Sequence, residues 1–460
     1  MSQRRIVIVG NSAASLAALE AIRRHDGMCP VTLVADERVP AYSRVMLPYF
    51  VSGERRDLSL RPFDYYQRMG VQALLGRRAV RLEAEALVLD DGTALPFDRL
   101  LIATGSRAAV PEIEGVHTPG VCPLKNLADA IRIRGHLPGA HHAVVLGGGL
   151  ICLLVVRALL KVGLSVAIVV SSDRLLSRML DEEGSALVQH RLAQAGVRIL
   201  THTDASRIVG RNDRACSVVT AAGEELPADL VILAKGIRPN TGVAQTGGVA
   251  IGRGILVDQY MRTSRPGVFA AGDCAESPDL LAPGRRTIAG TWFEAVSQGE
   301  TAGANLLGRS RPSLGTLKMN VMEILGVAVA SIGMTGAPGG EGGVLVSSRD
   351  GVYRKLVISH DRIVGAVLVG DVSEAGPIAS LIRRGLTRSE LEPVDFSRPI
   401  RYAELGLLRG VRFRGSEGCQ PPSPVVPDNS QSPIQLLFAT FCIKLPASDN
   451  PPLRVKDPPL

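Results

Sequence analysis

At 460 residues the chain is too long for a single core, so two to four domains are expected. With 46% apolar and 21% charged residues it reads as an ordinary soluble globular protein, and only 4% aromatic residues argues against a base-stacking nucleic-acid surface. The net charge is +8, but only seven of the 52 basic residues are Lys and the arginines never run longer than two, so phosphate-bearing cofactors or an acidic protein suit the charge better than nucleic acid.

The first stretch, MSQRRIVIVGNSAASLAAL, has the charge and apolarity of a signal peptide, but a glycine turn interrupts it. It reads instead as a buried parallel strand over 5–9, a break at Gly10 and a helix over 13–24; a second strand follows at 31–34. The turn GNSAAS partly fits the G-x-G-x-x-G pyrophosphate fingerprint, with Gly10 kept and Ser12 and Ser15 in the other two places. Serine is small and can donate to phosphate, and a helix N-terminus favours an anion. Asp36 and Glu37 follow the second strand, where a ribose-binding acid belongs. Taken alone, the stretch fits a plain strand-turn-helix equally well.

A second unit of the same kind runs from AVVL at 143–146 through GGGLIC to a helix over 153–162 and a strand over 166–170. Gly147 and Gly149 are kept, but Cys152 stands at the third motif position, where it would hold the helix slightly off the sheet. Val170, Ser171 and Ser172 replace the acid at the strand end. That weakens a preference for NAD and removes repulsion against a 2′-phosphate, for which Arg174 is the candidate partner; a damaged site is the alternative. After each glycine loop, behind a hairpin-like stretch, comes a similar string, DRLLIATGSR around Thr104-Gly105 and ADLVILAKGIRPN at 228–240. The strand VFAA then ends at Gly272-Asp273, an acid that can reach a ligand over the sheet or cap the next turn.

Residues 317–384 alternate short β runs with a final apolar helix and read as a small α+β domain. Ten of the 29 prolines fall in the last 40 residues, so 411–460 is expected to be mostly disordered, with 434–445 as an isolated apolar segment. The longest apolar runs are too short or too glycine-broken for a membrane helix. The seven cysteines form neither a C-x-x-C pair nor a zinc spacing, so no metal site is expected and a reducing, cytoplasmic setting is.

In this order, the glycine loops, ATG-like strings and final GD resemble the pyridine nucleotide–disulfide oxidoreductase family of two-dinucleotide flavoproteins, over about residues 4–308. The resemblance implies an α/β fold with two Rossmann-like dinucleotide-binding domains. FAD would occupy a discontinuous domain of residues 1–112 and 246–312, and NADH or NADPH a domain of residues 113–245. A small α+β domain over 313–410 and the tail complete the chain. It further implies that Gly10, Ser12 and Ser15 hold the FAD pyrophosphate, Asp36 or Glu37 its ribose, and Gly272-Asp273 its ribityl chain. Thr104 and Gly105 would line the crossing between domains. The helix opening at Trp292–Glu294 would aim its N-terminus at the flavin pyrimidine, and Gly147 and Gly149 would take NAD(P)H.

The family's redox cysteines are missing from AYSRVMLPYF, where Val45 occupies the single-Cys position, and Leu154 replaces the usual Glu of the second loop. The string resembles the rubredoxin-reductase and nitrite-reductase branch, in which Arg44 would be the basic residue near the flavin ring or phosphates and the catalytic contact. The segments at 319–333 and 352–371 resemble that branch's small final domain. The expected activity is hydride transfer from NAD(P)H to FAD without a redox disulfide. Electrons would pass on to a separate rubredoxin- or ferredoxin-like protein or a nitrite reductase partner, since these cysteines cannot build the iron–sulfur modules of nitrite reductases. No nucleic acid or membrane partner is expected, and a homodimer is compatible with the pattern. The alternative is an FAD-binding electron-transfer subunit or sensor with a degenerate NAD(P)H site.

Overall fold

The computed structural model describes residues 4–400 apart from 213, 337–341 and 392–394. The expected tail at 411–460, its apolar segment and the end of the small domain at 401–410 lie outside the described residues. The described chain forms two compact units, residues 4–178 with 189–318, and 179–188 with 319–400. Among these residues no helix is long and apolar enough to cross a membrane.

Two parallel sheets build the larger unit. The strands of these two sheets, in chain order, are β1 (Ile6–Val9), β2 (Val31–Ala35), β3 (Val71–Leu75), β4 (Arg99–Ile102), β5 (Val121–Pro123), β6 (His142–Leu146), β7 (Ser165–Val169), β8 (Arg198–Leu200), β9 (Leu230–Leu233) and β10 (Val268–Ala270). The first sheet has the order β10-β4-β1-β2-β3 and the second β5-β9-β6-β7-β8, each parallel throughout. The two orders are equivalent: β1 to β4 match β6 to β9. The fifth strand of the first sheet returns from residue 268, whereas that of the second precedes its glycine loop. β1 and β9 are buried at every position, as strands covered on both faces require.

Five helices of this unit matter here: α1 (Ala13–His25), α2 (Leu47–Val51), α3 (Leu127–His136), α4 (Leu150–Lys161) and α5 (Trp292–Leu306). Helix α5 lies against α1 at backbone contact. A Cβ on Gly299 would come within 2.3 Å of the Ala14 carbonyl oxygen, and one on Gly303 within 2.4 Å of that of Ala18. Glycine on one helix and alanine on the other therefore set this crossing. Outside the sheets, Ser106–Ala108 pairs antiparallel with Ile237–Pro239 and joins the chain crossings between them.

The smaller unit is an antiparallel sheet of β11 (Met319–Ile324), β12 (Val327–Gly333), β13 (Gly342–Arg349), β14 (Val352–Ser359) and β15 (Arg362–Val369), ordered β11-β12-β15-β14-β13. Helix α6 (Ala375–Arg384) buries its apolar face and ends at Gly385 in the left-handed conformation. The buried pair Arg354–Glu374 sits at its start and also takes the Ile400 N–H, at 3.0 Å from Glu374. The fold is thus α/β, with two Rossmann-like sheets and a small α+β unit.

Candidate functional site

Parallel register turns motifs scattered along the chain into one edge. In the first sheet Val9 stands level with Val34 and Ile102, and Ile102 with Ala270. The residues just beyond that row are Gly10, Asp36, Ala103 to Gly105, and Ala271 to Asp273. In the second sheet Leu146 is level with Val169 and Leu233, and Leu233 with Pro123. Gly147, Val170, Lys235 and Lys125 follow. Both edges are the carboxyl ends of parallel strands, where open α/β sheets bind ligands.

The helix starts distinguish closed ends from open ones. At α3, Asn126 accepts the Asp129 N–H and Asp129 reaches back to the Asn126 N–H, so the first turn is satisfied by a capping box. At α1 the N-cap Ser12 makes no such bond, at α5 Thr291 makes none, and at α4 the N-cap is Gly149. The hydroxyls of Ser15 and Thr291 are buried with no protein partner. Uncapped N–H groups with idle hydroxyls beside them fit pyrophosphate and the electron-rich edge of a flavin.

Two glycines sharpen the fit. Gly10 has φ +119°, and a Cβ there would lie 2.1 Å from the Ala103 carbonyl oxygen, so the turn itself requires glycine. Gly149 has φ −90° and nothing within 4 Å of where its Cβ would be. No backbone demand explains that bare position; it is a cradle that a side chain would fill. The residues present therefore accommodate both FAD and a nicotinamide dinucleotide.

On the first edge, Asp273 accepts from the Ser106 hydroxyl at 2.7 Å and from Lys125 Nζ at 3.1 Å, both on Oδ2. Its side chain is 17% exposed and that of Lys125 23%. Gln298, in α5, accepts the Gly272 N–H at 2.8 Å and fixes the turn carrying Asp273. Glu37 does not stand free as a ribose ligand: it pairs with Arg44 and accepts from the Tyr42 hydroxyl at 2.6 Å. Arg44 also donates to the Lys125 carbonyl at 3.1 Å, and Tyr42 accepts the Leu127 N–H at 2.8 Å. Burial pushes the Tyr42 phenol up, so it stays a donor. The structure thus places Arg44 on the acid after β2, while Asp36 is exposed. Thr104 and Gly105 bond Asn240: the Thr104 hydroxyl donates to the Asn240 carbonyl at 2.7 Å, and the Asn240 N–H to the Gly105 carbonyl at 3.0 Å. Trp292 is half-buried at the start of α5, and Glu294 is buried one turn in, where it accepts the Leu317 N–H.

On the second edge the Gly147 N–H bonds Val169 O at 2.8 Å, as Gly10 does Val34 O. Cys152 is fully buried in the α4 face. Strand β7 ends at Val169, one residue earlier than the sequence suggests. Val170 is 6% exposed and packs over Gly148, whose Cβ would meet it at 2.8 Å and Leu175 at 3.2 Å. Arg174 pairs with its neighbour Asp173. Lys235 binds Asp204 at 2.5 Å beside the loop.

Sequence reasoning missed Ser106, Lys125, Gln298 and the Lys235–Asp204 pair. Their partners lie 167, 148, 26 and 31 positions away, and only the folded chain brings them together. The one available signal was the scarcity of Lys, which leaves one immediately beyond β5. Among the described residues the five cysteines are free. Burial pushes the Cys122 thiol up to about 11, and those of Cys152 and Cys274 up as well, so none of these three is a ready thiolate.

Comparison with known proteins matches residues 4–299 to the family described as pyridine nucleotide-disulphide oxidoreductase, and residues 319–386 to the rubredoxin NAD+ reductase C-terminal domain. The chain is 30% identical over 408 residues to the nitrite reductase [NAD(P)H] of Bacillus subtilis (strain 168), covering 87% of this chain and 50% of that one. It therefore spans about half the length of that relative. It is 31% identical to the NADH-dependent phenylglyoxylate dehydrogenase subunit epsilon of Aromatoleum evansii, covering 85% of this chain and 93% of that one. Among solved structures, the covalent putidaredoxin reductase–putidaredoxin complex matches with TM-score 0.80 and 26% identity, covering 89% of this chain and 100% of the matched one.

Proposed function

The chain belongs to the pyridine nucleotide-disulphide oxidoreductase family, and from that premise we propose that it is the reductase component of an electron-transfer pair. It is an FAD-dependent NAD(P)H oxidoreductase. With both cofactors bound, it would take hydride from the nicotinamide onto the flavin and pass electrons to a separate rubredoxin- or ferredoxin-like protein or a nitrite reductase partner, with no redox disulfide between. The observation that carries this reading is the pair of equivalent parallel sheets, each with an uncapped helix start behind a positive-φ glycine.

FAD, when bound, supplies the chemistry: it takes up hydride and gives electrons back singly. The protein binds and orients. Gly10, Ser12 and Ser15 would hold the FAD pyrophosphate on the start of α1, and Asp36 the ribose. Asp273, fixed by Ser106, Lys125 and Gln298, keeps Oδ1 for a ribityl hydroxyl. Arg44 braces Glu37 against the Lys125 segment, so its role is to position that wall of the site. The N-terminus of α5, with Thr291 and Trp292, favours negative charge on the reduced ring. Gly147 and Gly149 would hold the NAD(P)H pyrophosphate on the start of α4.

With Val45 where a flavin-side thiol would stand, electrons would pass from the flavin to the acceptor without a thiol relay. The relative of nearly equal length that is named as a subunit favours a component serving a larger enzyme. One observation favours the second reading, a flavin subunit with a degenerate coenzyme site: Val170 and Leu175 crowd Gly148, where the second dinucleotide would lie. The test is steady-state reduction of a small ferredoxin by the purified yellow protein with NADH or NADPH. Turnover with either donor supports the reductase; a yellow protein idle with both supports the subunit.

A further inference from the structure

One group of residues serves neither dinucleotide edge. Helix α2 carries Tyr49 and Phe50, and both rings are covered by arginines from helices of the second sheet. The Arg157 guanidinium of α4 lies 4.6 Å from the Tyr49 ring centroid, and Arg134 of α3 lies 4.9 Å from that of Phe50. Arg157 also grips Glu54 with both ends of its fork, at 2.8 and 2.9 Å. Glu54 is held in place by the Ser52 hydroxyl, which donates to it at 2.6 Å. The side chains of Arg157 and Glu54 are 25% and 26% exposed, and both distances are those of a planar bidentate pair.

We propose that Tyr49, Glu54 and Arg157 form a clamp that sets the height and tilt of α4, and so positions the nicotinamide against the flavin. The proposal rests on the reductase reading. Arg157 lies eight residues from the N-cap Gly149, about 12 Å along the helix axis. With that lever, a tilt of about 5° moves the pyrophosphate end by about 1 Å. Hydride transfer needs the reacting atoms about 3–3.5 Å apart, and a misplacement of about 1 Å costs on the order of 100-fold in rate. The paired crossings at Ser106–Ala108 and Ile237–Pro239, and the contacts of Lys125 and Leu127 with Asp273, Arg44 and Tyr42, already join the two sheets' segments; the clamp adds an attachment on α4 itself.

The test uses the FAD-loaded full chain, mixed anaerobically with NADH or NADPH in a stopped-flow instrument. Arg157→Ala, Glu54→Ala and Tyr49→Ala are expected to lower the limiting rate of flavin bleaching about tenfold or more. FAD content and nucleotide Kd should stay within about twofold. Tyr49→Phe should match the wild type, because only the ring face is used. Arg157→Lys should recover part of the rate, since it keeps the charge but loses the fork. Limiting rates within twofold of wild type in all three alanine variants overturn the clamp. So does a rate loss that only tracks loss of FAD. A wild-type flavin that neither nucleotide bleaches overturns the reductase reading along with it.

Discussion

Replacing Gly10 by Ala tests the first sheet's ligand edge where the geometry is least forgiving. At φ +119° an L-residue is strained by about 1–3 kcal/mol. The new methyl would stand 2.1 Å from the Ala103 carbonyl oxygen, which must retreat by about an ångström. The Ala103 N–H is bonded to Val9 O and its chain continues into Thr104-Gly105, so the retreat disturbs β1, β4 and the crossing together. Overpacking of this kind costs about 1–3 kcal/mol, which brings the total to about 2–6 kcal/mol out of the ~5–15 that holds a domain. At roughly 2–4 °C per kcal/mol the melting point should fall by about 4 °C or more, and the protein should emerge pale. Gly149→Ala is the counterpart. Its φ is ordinary and its surroundings open, so stability should change by less than about 1 kcal/mol, while KM for NAD(P)H rises about tenfold. Thermal unfolding, FAD absorbance and steady-state kinetics read both. A Gly10→Ala protein that melts with the wild type and keeps its FAD would refute the reasoning.

Lys125→Met should leave Asp273 with Ser106 alone on Oδ2 and weaken FAD binding about tenfold without a matching fall in melting temperature, measured by titrating FAD into stripped protein. Val170→Glu should raise use of NADH relative to NADPH, because it restores an acid beside the loop at Gly148; a flat ratio of kcat/KM places the ribose elsewhere. The Glu54 carboxyl is held below the ordinary range by its hydrogen bonds from Arg157, so its stabilising effect is fully present above the unfolded-state value of about 4.3 and is lost as the pH falls through the lower folded value. The difference in melting temperature between wild type and Glu54→Gln should therefore be constant across neutral pH and shrink only in acid.

The order of the motifs revealed the fold because each strand-turn-helix is local: RIVIV, AVVL and the two ATG-like strings each declare a buried strand that ends at glycine. Ser12 and Ser15 obscured the first fingerprint, yet Gly10 alone, with its close approach to Ala103, carries the turn. What the sequence could not show is which distant residues share an edge. Lys125 meets Asp273, and its carbonyl meets Arg44, only because the segment after β5, in one sheet, lies against the segments after β10 and β2, in the other. The sequence placed Arg44 near the flavin or its phosphates by analogy; its pairing geometry depends on Tyr42 and the Lys125 carbonyl, which no spacing reports. Likewise Tyr49 and Glu54 look like surface residues until α4 is laid beside α2.

The most direct test of the two-dinucleotide account is a single turnover. The purified chain is loaded with FAD, oxygen is removed, and NADH or NADPH deuterated at the transferred C4 position is compared with the ordinary coenzyme. The account predicts one FAD per chain, loss of the yellow band with at least one donor, and slower loss with deuterium. A chain that refuses FAD in excess, or a bound flavin whose spectrum neither coenzyme alters, would contradict it.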